Sequence, residues 1–463
     1  MTVKTKIMFL AVSACIAVPN AQAELITLTD AESRASSISY EMRSQHFEEQ
    51  AREWEKRNAV SNYLPSLDYG LNYTQMDQDM VDASNAMFES FEGMSDIFSG
   101  TGIEAEEIDY ESSKMHVTTV SHEFTVNQPI TNGGAEIIAI NIAKHTKSAI
   151  EFQQEALRQE VIYNARKAYF DVLAAREMTI VTHQDYSWAT QNLAKAQTRY
   201  EGGAVPKTDI LQWEAEVAEK ESALLQALAV EKIAVYSLYS TMGVPVEKAD
   251  TSITLQPLQV FEQWYVRGPV EAEGTVENNP QFKAIESHTR AALGYKRIAA
   301  SSFFPKINAF GSYSWPYYLS DNDDLVLQEE RKGWTAGVSL SVPIFGGFRN
   351  STNYRKSSYE YMKALVDKEH SANQFELNLK RIHYFYQASY KSVAAAKKQH
   401  ELMAKNLEIM QARYDGGLVN QSQLLEVAVG ARMARIGYIQ KLFECLLLES
   451  EYQKTVGKLE VYQ

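Results

Sequence analysis

The chain has 463 residues, a formal net charge of -14 and two cysteines, Cys15 and Cys445. The negative charge excludes nucleic acid as a partner, because no basic patch balances the acids. Cys15 lies in an N-terminal segment that we expect to be removed, which leaves Cys445 as the only cysteine of the mature protein. A disulfide framework within the chain is therefore also excluded. No apolar run after residue 23 reaches the roughly 20 residues of a transmembrane helix, so any membrane contact is expected to come from strands.

The first 23 residues have the pattern of a signal peptide. Two lysines, Lys4 and Lys6, precede an apolar run at 7–18, and Ala21-Gln22-Ala23 offers small residues for cleavage. We therefore expect the mature protein to begin at Glu24 and to work outside the cytoplasm. A lipoprotein signal ending at Cys15 is the alternative, but the residues after Cys15 are unusually apolar for one.

Residues 29–32 read as a capping box, and residues 31–64 contain neither glycine nor proline, so a first helix is predicted there. Four later segments alternate apolar and polar residues, which is the period of a strand. These four predicted strands are 67–74, 120–127, 307–315 and 334–344. Between the first two, residues 76–113 contain 11 acids and no Lys or Arg, and a long solvated loop is expected.

Two stretches, 135–201 and 348–415, lack glycine and proline throughout. At about 1.5 Å per residue, each predicts a helix of roughly 100 Å. Apolar residues in the first keep heptad-like spacing, as at Ile138, Ile142 and Ala149, which indicates a coiled-coil packing seam.

One offset of 214 residues relates the two halves of the chain. It carries Pro129-Ile130 onto Pro343-Ile344, Gly133 onto Gly347, and residues 199–205 onto 413–419. A chance similarity would not keep one constant offset through both the strand-like and the helix-like segments, so two structural repeats are predicted. The expected division is a signal peptide at 1–23, repeats at 24–243 and 277–463, and a mixed equatorial linker at 244–276.

Shorter helices complete each repeat. In the first repeat they are 31–64 and 207–242, and in the second they are 281–304 and 418–456. Asn279-Pro280 and Asn420 supply helix starts for the second pair. In each repeat the two short helices have a summed length that lets them stack end to end beside the long helix.

This order of elements resembles the TolC family of outer-membrane efflux and secretion ducts. The resemblance covers nearly all of the chain after residue 23, including the strand ends at Pro129-Ile130 and Pro343-Ile344 and the Tyr-acid-Gly-Gly turns at 200–203 and 414–417. It implies a mainly α fold with β structure, in which a long antiparallel α-helical coiled-coil barrel continues into a transmembrane β-barrel built from four strands per chain.

The resemblance further implies a homotrimer in the outer membrane that extends into the periplasm. Its partners would be outer-membrane lipid, a periplasmic adaptor protein and an inner-membrane pump, and its task would be efflux or type I secretion. Four aromatic residues fit a membrane-interface girdle: Trp315, Tyr317, Tyr318 and Trp334. The competing hypothesis is a periplasmic coiled-coil scaffold without a pore. The sequence does not specify the cargo.

No catalytic, cofactor or metal site is predicted. The closest histidines, His116 and His122, lack the further ligands of a zinc site, and the Gly-Gly pairs lack the lysine of a phosphate loop. A structural role for these residues is expected instead.

Two functional regions are predicted at the far ends of the long helices. Adaptor docking is expected at the two Gly-Gly turns, by resemblance to the family: Gly202, Gly203, Ala204, Val205, Gly416, Gly417, Leu418 and Val419. A pore gate is expected just beyond them, at Asp209, Gln212, Gln423 and Glu426.

The 214 offset pairs the gate residues, so each repeat places one carboxylate and one amide three residues apart on one helix face. The resemblance implies that Glu426 forms a carboxylate ring that narrows the pore and that Asp209 braces it. The alternative for these acids is a helix-terminus charge. Gln423 stands where family members carry an acid, and Val419 where they carry an arginine, which argues against an arginine latch.

Overall fold

The computed structural model describes residues 25–99, 115–266, 275–319, 325–328 and 331–462. The signal-peptide and Cys15 predictions lie outside these residues. The chain forms two compact units. The helical unit comprises the described residues within 1–45, 154–279 and 374–463, and the strand-bearing unit comprises those within 46–153 and 280–373.

Nine α-helices are present in the described ranges. They are α1 (Leu28–Ile38), α2 (Tyr40–Ser61), α3 (Gln78–Ser99), α4 (Ala135–Glu201), α5 (Lys207–Thr241), α6 (Leu258–Val266), α7 (Pro280–Ser301), α8 (Arg349–Asp415) and α9 (Gln421–Thr455). None of these helices is long and apolar enough to cross a membrane.

Both long helices are confirmed. The helix α4 has the predicted bounds, and α8 begins one residue later than predicted because Phe348 has a φ of 62°. The capping prediction at Asn420 is confirmed, since its side chain accepts a hydrogen bond from the Gln423 backbone N at 2.9 Å. Pro280 occupies the first position of α7, as predicted.

The predicted N-terminal capping box was wrong by two residues. Its members are Thr27 and Asp30, whose side chains each accept a backbone hydrogen bond from the other, at 3.1 and 3.0 Å. The single helix expected at 31–64 is two helices that break at Ser39, which is extended. The backbone of Gly243 approaches this break so closely that a Cβ atom there would lie 2.6 Å from the Ile38 carbonyl oxygen.

The prediction of a solvated loop at 76–113 was also wrong over its first part, which forms α3. The Asp77 carboxylate accepts the Asp79 backbone N–H at 3.0 Å at the start of this helix, and Val81 is buried. Asn85 exchanges two hydrogen bonds with the Met115 backbone, at 2.8 and 2.9 Å. These contacts favour a helix despite the acidic composition. Residues 100–114 lie outside the described residues.

All four predicted strands are present, in one antiparallel sheet of the strand-bearing unit, although the fourth ends at Ser341, three residues before its predicted end. They are β2 (Ser66–Gln75), β3 (Thr118–Asn132), β5 (Lys306–Leu319) and β7 (Gly333–Ser341). The pairing order is β2-β3-β5-β7, and a fifth short strand, β6 (Leu325–Leu327), also pairs with the end of β5. The sheet therefore has one strand more than predicted.

One face of this sheet is apolar and the other is polar. The register places Tyr69 opposite Phe124, Phe124 opposite Tyr313, and Tyr313 opposite Trp334, all on one face. Trp334 is 76% exposed. The residues between them are mostly Ser, Thr, Asn and Gly on the opposite face, because side chains alternate along a strand.

The segment predicted as a mixed linker contains a short strand and a helix. Its strand β4 (Thr254–Leu255) pairs in parallel with β1 (Leu25–Ile26). Its helix α6 buries Phe261 and Trp264 against the core of the helical unit, where Phe261 meets Phe170 edge to face, with ring centroids 5.3 Å apart. The described residues of this segment are therefore packed into the helical unit.

A buried ion pair ties together distant parts of the helical unit. Arg166 is 2% exposed and Glu32 is fully buried, and the Arg166 Nε atom donates to the Glu32 carboxylate at 2.5 Å. Arg166 also donates to Ser450 Oγ, and the other Glu32 oxygen accepts the Tyr462 backbone N–H. Each carboxylate oxygen therefore has a donor, as a buried charge requires.

Candidate functional site

The first Gly-Gly turn is a Schellman motif that closes α4. Gly203 has a φ of +71°, and its N–H donates to the Tyr200 carbonyl at 2.9 Å. The Ala204 N–H donates to the Arg199 carbonyl at 2.8 Å. Only glycine adopts this left-handed conformation without strain, which explains the residue at 203.

The second turn repeats this geometry at the end of α8. Gly417 also has a φ of +71°, and its N–H donates to the Tyr414 carbonyl at 3.0 Å. The Leu418 N–H donates to the Arg413 carbonyl at 2.9 Å. A Cβ atom on either Gly203 or Gly417 would meet no atom within 4 Å. Both turns therefore present open backbone.

The side chains of the predicted docking residues divide into two groups. Leu418 is 78% exposed, and Gly202, Ala204 and Gly416 are exposed as well. Val205 and Val419 are half-buried, and Val419 packs against an apolar cluster of the helical unit. Leu418 is thus the large apolar side chain that these turns leave open.

The ends of the two long helices meet. Arg199 Nη2 donates to the backbone carbonyls of Tyr414 and Asp415, at 3.2 and 2.8 Å, and its guanidinium lies 5.0 Å from the centre of the Tyr414 ring. Lys195 pairs with the Asp415 carboxylate at 2.9 Å. The structure therefore brings the two predicted docking turns to one end of the helical unit.

A tryptophan that sequence reasoning missed joins α5 to the same cluster. Trp213 is fully buried, and its indole N–H donates to the Tyr414 hydroxyl at 3.2 Å. The Trp188 ring packs edge to face on Trp213, with centroids 5.4 Å apart. The available signal was two tryptophans on glycine-free helices close to the same turn.

The four predicted gate residues lie on the first turns of α5 and α9, but their side chains differ in exposure and in hydrogen bonding. The Gln423 side chain accepts the Asn420 backbone N–H at 3.1 Å and so completes a capping box. Pro206 stands before α5 and offers no side-chain cap, and Asp209 lies in its first turn. Gln212 and Glu426 are exposed. Among the described residues, no hydrogen bond or ion pair joins the α5 pair to the α9 pair.

A cavity of about 280 Å³ opens between α4, α8 and α9. On its wall, Arg432 donates to Asp185 at 3.2 Å and Arg435 donates to Gln184 at 2.7 Å. Burial raises the pKa of Asp185, and the Arg432 guanidinium opposes that effect. Burial lowers the pKa of His400, whose Nδ1 atom is enclosed without a hydrogen-bond partner.

The histidines of the sheet contact aromatic rings. The His122 Nδ1 atom lies 2.7 Å from the Tyr69 hydroxyl, and its ring stacks on Trp315, with centroids 5.5 Å apart. His116 stacks on Tyr318 at 3.8 Å. Within the described residues, no three His, Cys, Asp or Glu side chains converge as metal ligands would.

A family model described as outer membrane efflux protein matches residues 32–244 and 273–440. The outer membrane protein TolC of Vibrio cholerae is 21% identical over 328 residues, which are 70% of this chain and 73% of that protein. The alkaline protease secretion protein AprF of Pseudomonas aeruginosa is 22% identical over 242 residues, 51% of this chain and 48% of that protein.

Solved structures share the fold at low sequence identity. The CmeC outer membrane channel of Campylobacter jejuni superposes with a TM-score of 0.74 at 14% identity, over 94% of this chain and 87% of that one. The open-state MtrE outer membrane channel of Neisseria gonorrhoeae gives 0.68 at 14% identity, over 94% and 89%. Because the family model matches most of the sequence, this chain belongs to the outer membrane efflux protein family and is an efflux channel of the outer membrane.

Proposed function

We propose that three copies of this chain assemble into one duct, in which four long strands from each copy close a transmembrane β-barrel. The observation that carries the proposal is the sheet itself, whose apolar face leaves large side chains exposed on its strands, as at Leu71, Phe124 and Trp334. In lipid, an open sheet would leave the backbone groups of its edge strands unpaired, and closure with further copies satisfies them. The aromatic residues at 315, 317, 318 and 334 would then lie at a membrane interface.

Light scattering of the detergent-solubilised protein tests the assembly. The expected mass is that of three chains, and the same preparation should form channels in planar bilayers. A water-soluble monomer without conductance would support the scaffold hypothesis and contradict the duct.

The division into repeats at 24–243 and 277–463, joined by 244–276, is part of this proposal. Supporting it, three pairs of glycines 214 residues apart share a positive φ: Gly133 with Gly347, Gly203 with Gly417, and Gly243 with Gly457. The same backbone geometry at the same offset is what a duplicated unit would keep.

The Gly-Gly turns are the proposed docking site for a periplasmic adaptor, which would couple the duct to an inner-membrane pump. Leu418 supports this, because it is exposed at the turn and its removal would leave the Schellman backbone unchanged. Leu418→Asp should abolish export of a test substrate and co-purification of the adaptor while the trimer still forms. Glu408→Gln, at an exposed position of α8, the helix that this turn closes, is the matched control. Export at the wild-type level in Leu418→Asp would remove the assignment.

We further assign the pore gate to a ring of three Glu426 carboxylates. Glu426 is exposed and has no ion-pair partner among the described residues, so it is available to the lumen. Asp209 would brace the neighbouring helix. Gln423 is the weaker candidate, since its side chain caps α9. The duct would need no catalytic chemistry of its own.

Single-channel recording tests this gate. Glu426→Ala should lower cation selectivity and weaken block by multivalent cations, because a ring of carboxylates concentrates cations at a constriction. Gln423→Ala should leave both properties near wild type. If Glu426→Ala also leaves them unchanged, Glu426 is only a charge near a helix terminus.

A further inference from the structure

The cavity between α4, α8 and α9 has the size of a small-molecule site. Its volume is about 280 Å³, whereas an apolar cavity of about 150 Å³ is enough to bind benzene. All of its lining residues belong to the helical unit, so the cavity is formed within one copy of the chain. A molecule of one or two aromatic rings fits this volume.

The apolar part of the lining consists of an aromatic ring, a leucine and small side chains. The indole N–H of Trp188 already donates to Gln411 at 2.8 Å, which leaves the ring for apolar contact. Trp188 and Leu407 also pack on the apolar cluster of the helical unit. Three alanines provide the space between them: Ala404, Ala428 and Ala431. An apolar ring placed here leaves water, which favours its binding.

The polar part of the lining carries two arginines of α9. Arg432 and Arg435 are three residues apart and therefore share one helix face. Arg432 uses one Nη atom to reach Asp185, and Arg435 uses its two Nη atoms to reach Gln184 at 2.7 Å and Glu177 at 3.4 Å. A guanidinium has five N–H donors, so both arginines keep donors for a further partner.

Acceptors on this wall are fewer than donors. The Asp185 carboxylate already accepts from Arg432, and burial raises the pKa of Asp185, which opposes its negative charge. Of the fully charged lining groups, two are cations and one is an anion, since Glu177 lies outside the lining. The enclosed Nδ1 atom of His400 has no hydrogen-bond partner among the described residues, which is costly for a buried polar atom. A ligand that supplies acceptors and negative charge suits this wall.

We propose that the cavity binds an aromatic carboxylate of one or two rings. The carboxylate accepts hydrogen bonds from Arg432 and Arg435, whose planar guanidinium groups match its two oxygens. The ring lies against Trp188 and Leu407, over the three alanines. A carboxylate oxygen or a ring hydroxyl can also pair with His400 Nδ1. The inference goes beyond the proposed duct, because the site needs neither the pore nor the adaptor.

Isothermal titration calorimetry of the detergent-solubilised, full-length protein tests the site with three probes of one shape. The probe 2-naphthoate should bind at a single site per chain. The neutral 2-naphthalenemethanol and the cationic 2-naphthylmethylamine should each bind at least about tenfold more weakly, because they lose the charge-assisted hydrogen bonds to the arginines. Comparison of the three probes separates recognition of charge from partition into detergent.

Two variants test the two parts of the lining. Arg435→Gln should raise the Kd for 2-naphthoate about tenfold, whereas Arg381→Gln, a change of an arginine of α8 outside the lining, should leave it unchanged. Ala404→Phe should fill the cavity and abolish the binding heat without altering any charge. Ala395→Phe, at an exposed position of α8 away from the cavity, is its matched control.

Three outcomes would overturn the assignment. They are an absence of 2-naphthoate binding to wild-type protein that melts cooperatively, equal binding of the alcohol, and tighter binding of the amine, which would place recognition at Asp185. None of these measurements depends on conductance or on the mass of the assembly. A failed duct and a failed ligand site are therefore distinguishable.

Discussion

The two units of the molecule place their large apolar side chains in opposite ways. In the helical unit, Phe170, Phe261 and Phe443 pack ring on ring in the core. In the strand-bearing unit, the large side chains of one sheet face remain exposed, as at Trp334. Apolar groups leave water wherever another apolar environment is available. The helical unit therefore stabilises itself by folding, whereas the sheet needs a partner environment, which we propose to be lipid.

The largest effect is expected in the helical core. Arg166→Ala leaves the Glu32 carboxylate buried without its charge partner, which costs about 3–5 kcal/mol. Thermal melting and the yield of folded protein should both fall sharply. Arg158→Ala is the control, because Arg158 forms a half-exposed pair with Glu155 and its loss should cost less than about 1 kcal/mol. Equal losses in the two variants would contradict the importance of burial.

The sheet should respond to the face on which a charge is placed. Leu71 is 58% exposed on the apolar face, and Leu71→Arg should impair membrane assembly by about 2–4 kcal/mol if that face meets lipid. Asn72→Arg, on the opposite face of the same strand, should have little effect. The fraction of heat-resistant trimer in the outer membrane is the measurement. Equal tolerance of both changes would show that water covers the apolar face.

The Schellman turns should show a smaller and local effect. Gly203→Ala and Gly417→Ala each force alanine into a left-handed conformation, at about 1–2 kcal/mol. Gly202→Ala and Gly416→Ala should be close to neutral, because these glycines have no positive φ and an added Cβ would make ordinary contacts from 3.5 Å. Melting curves of the four variants separate the two positions, and a reversed order would contradict the turn geometry.

The smallest expected effect is a pH dependence from His400. Its pKa is lowered in the folded chain by burial and by the nearby Arg435, so the unfolded chain binds the proton more readily. This contribution to stability is complete above pH 6.5 and is lost as the pH falls through the lowered folded pKa. His400→Asn should reduce the drop in melting temperature between pH 7.5 and 5.5. If the melting temperature of the variant falls as much as that of the wild type, the pH dependence comes from other groups, such as His145 and His288, whose pKa values are also lowered.

The sequence predicted the long elements well because their signals are long. The absence of Gly and Pro over α4, and the alternation of apolar and polar residues in the four main strands, broken in β5 at Phe310, leave little freedom of assignment. The prediction failed at α3, where the acidic composition suggested a loop. The helix is held by hydrogen bonds between Asn85 and Met115, which are 30 residues apart, and local composition does not reveal such a contact. The prediction also placed the first capping box two residues late, since two overlapping Thr-x-x-acid patterns compete there.

The candidate site was predicted only in part, because local features can be inferred from the sequence and contacts between distant residues cannot. The positive φ at the end of each long helix requires glycine at 203 and 417. This requirement is local, so both positions could be inferred from the repeated sequence alone. Trp213 and Tyr414 are far apart in sequence, and their contact depends on how the helices pack. The Asn-x-x-Gln pattern at 420–423 is that of a capping box, so the sequence contained the signal for this role of Gln423. The family resemblance instead assigned Gln423 to the pore gate.

The contact of Glu32 with both Arg166 and the Tyr462 backbone has a consequence for the order of folding. The first helix cannot complete its hydrogen bonds until residues 460–462 have been synthesised and exported, because they supply one of its donors. Until then the Glu32 carboxylate can stay hydrated, and burying it earlier would leave it without this donor. Contacts of such sequence separation form slowly, so the hydrogen-bond network of Glu32 and Arg166 is expected to be completed late in folding.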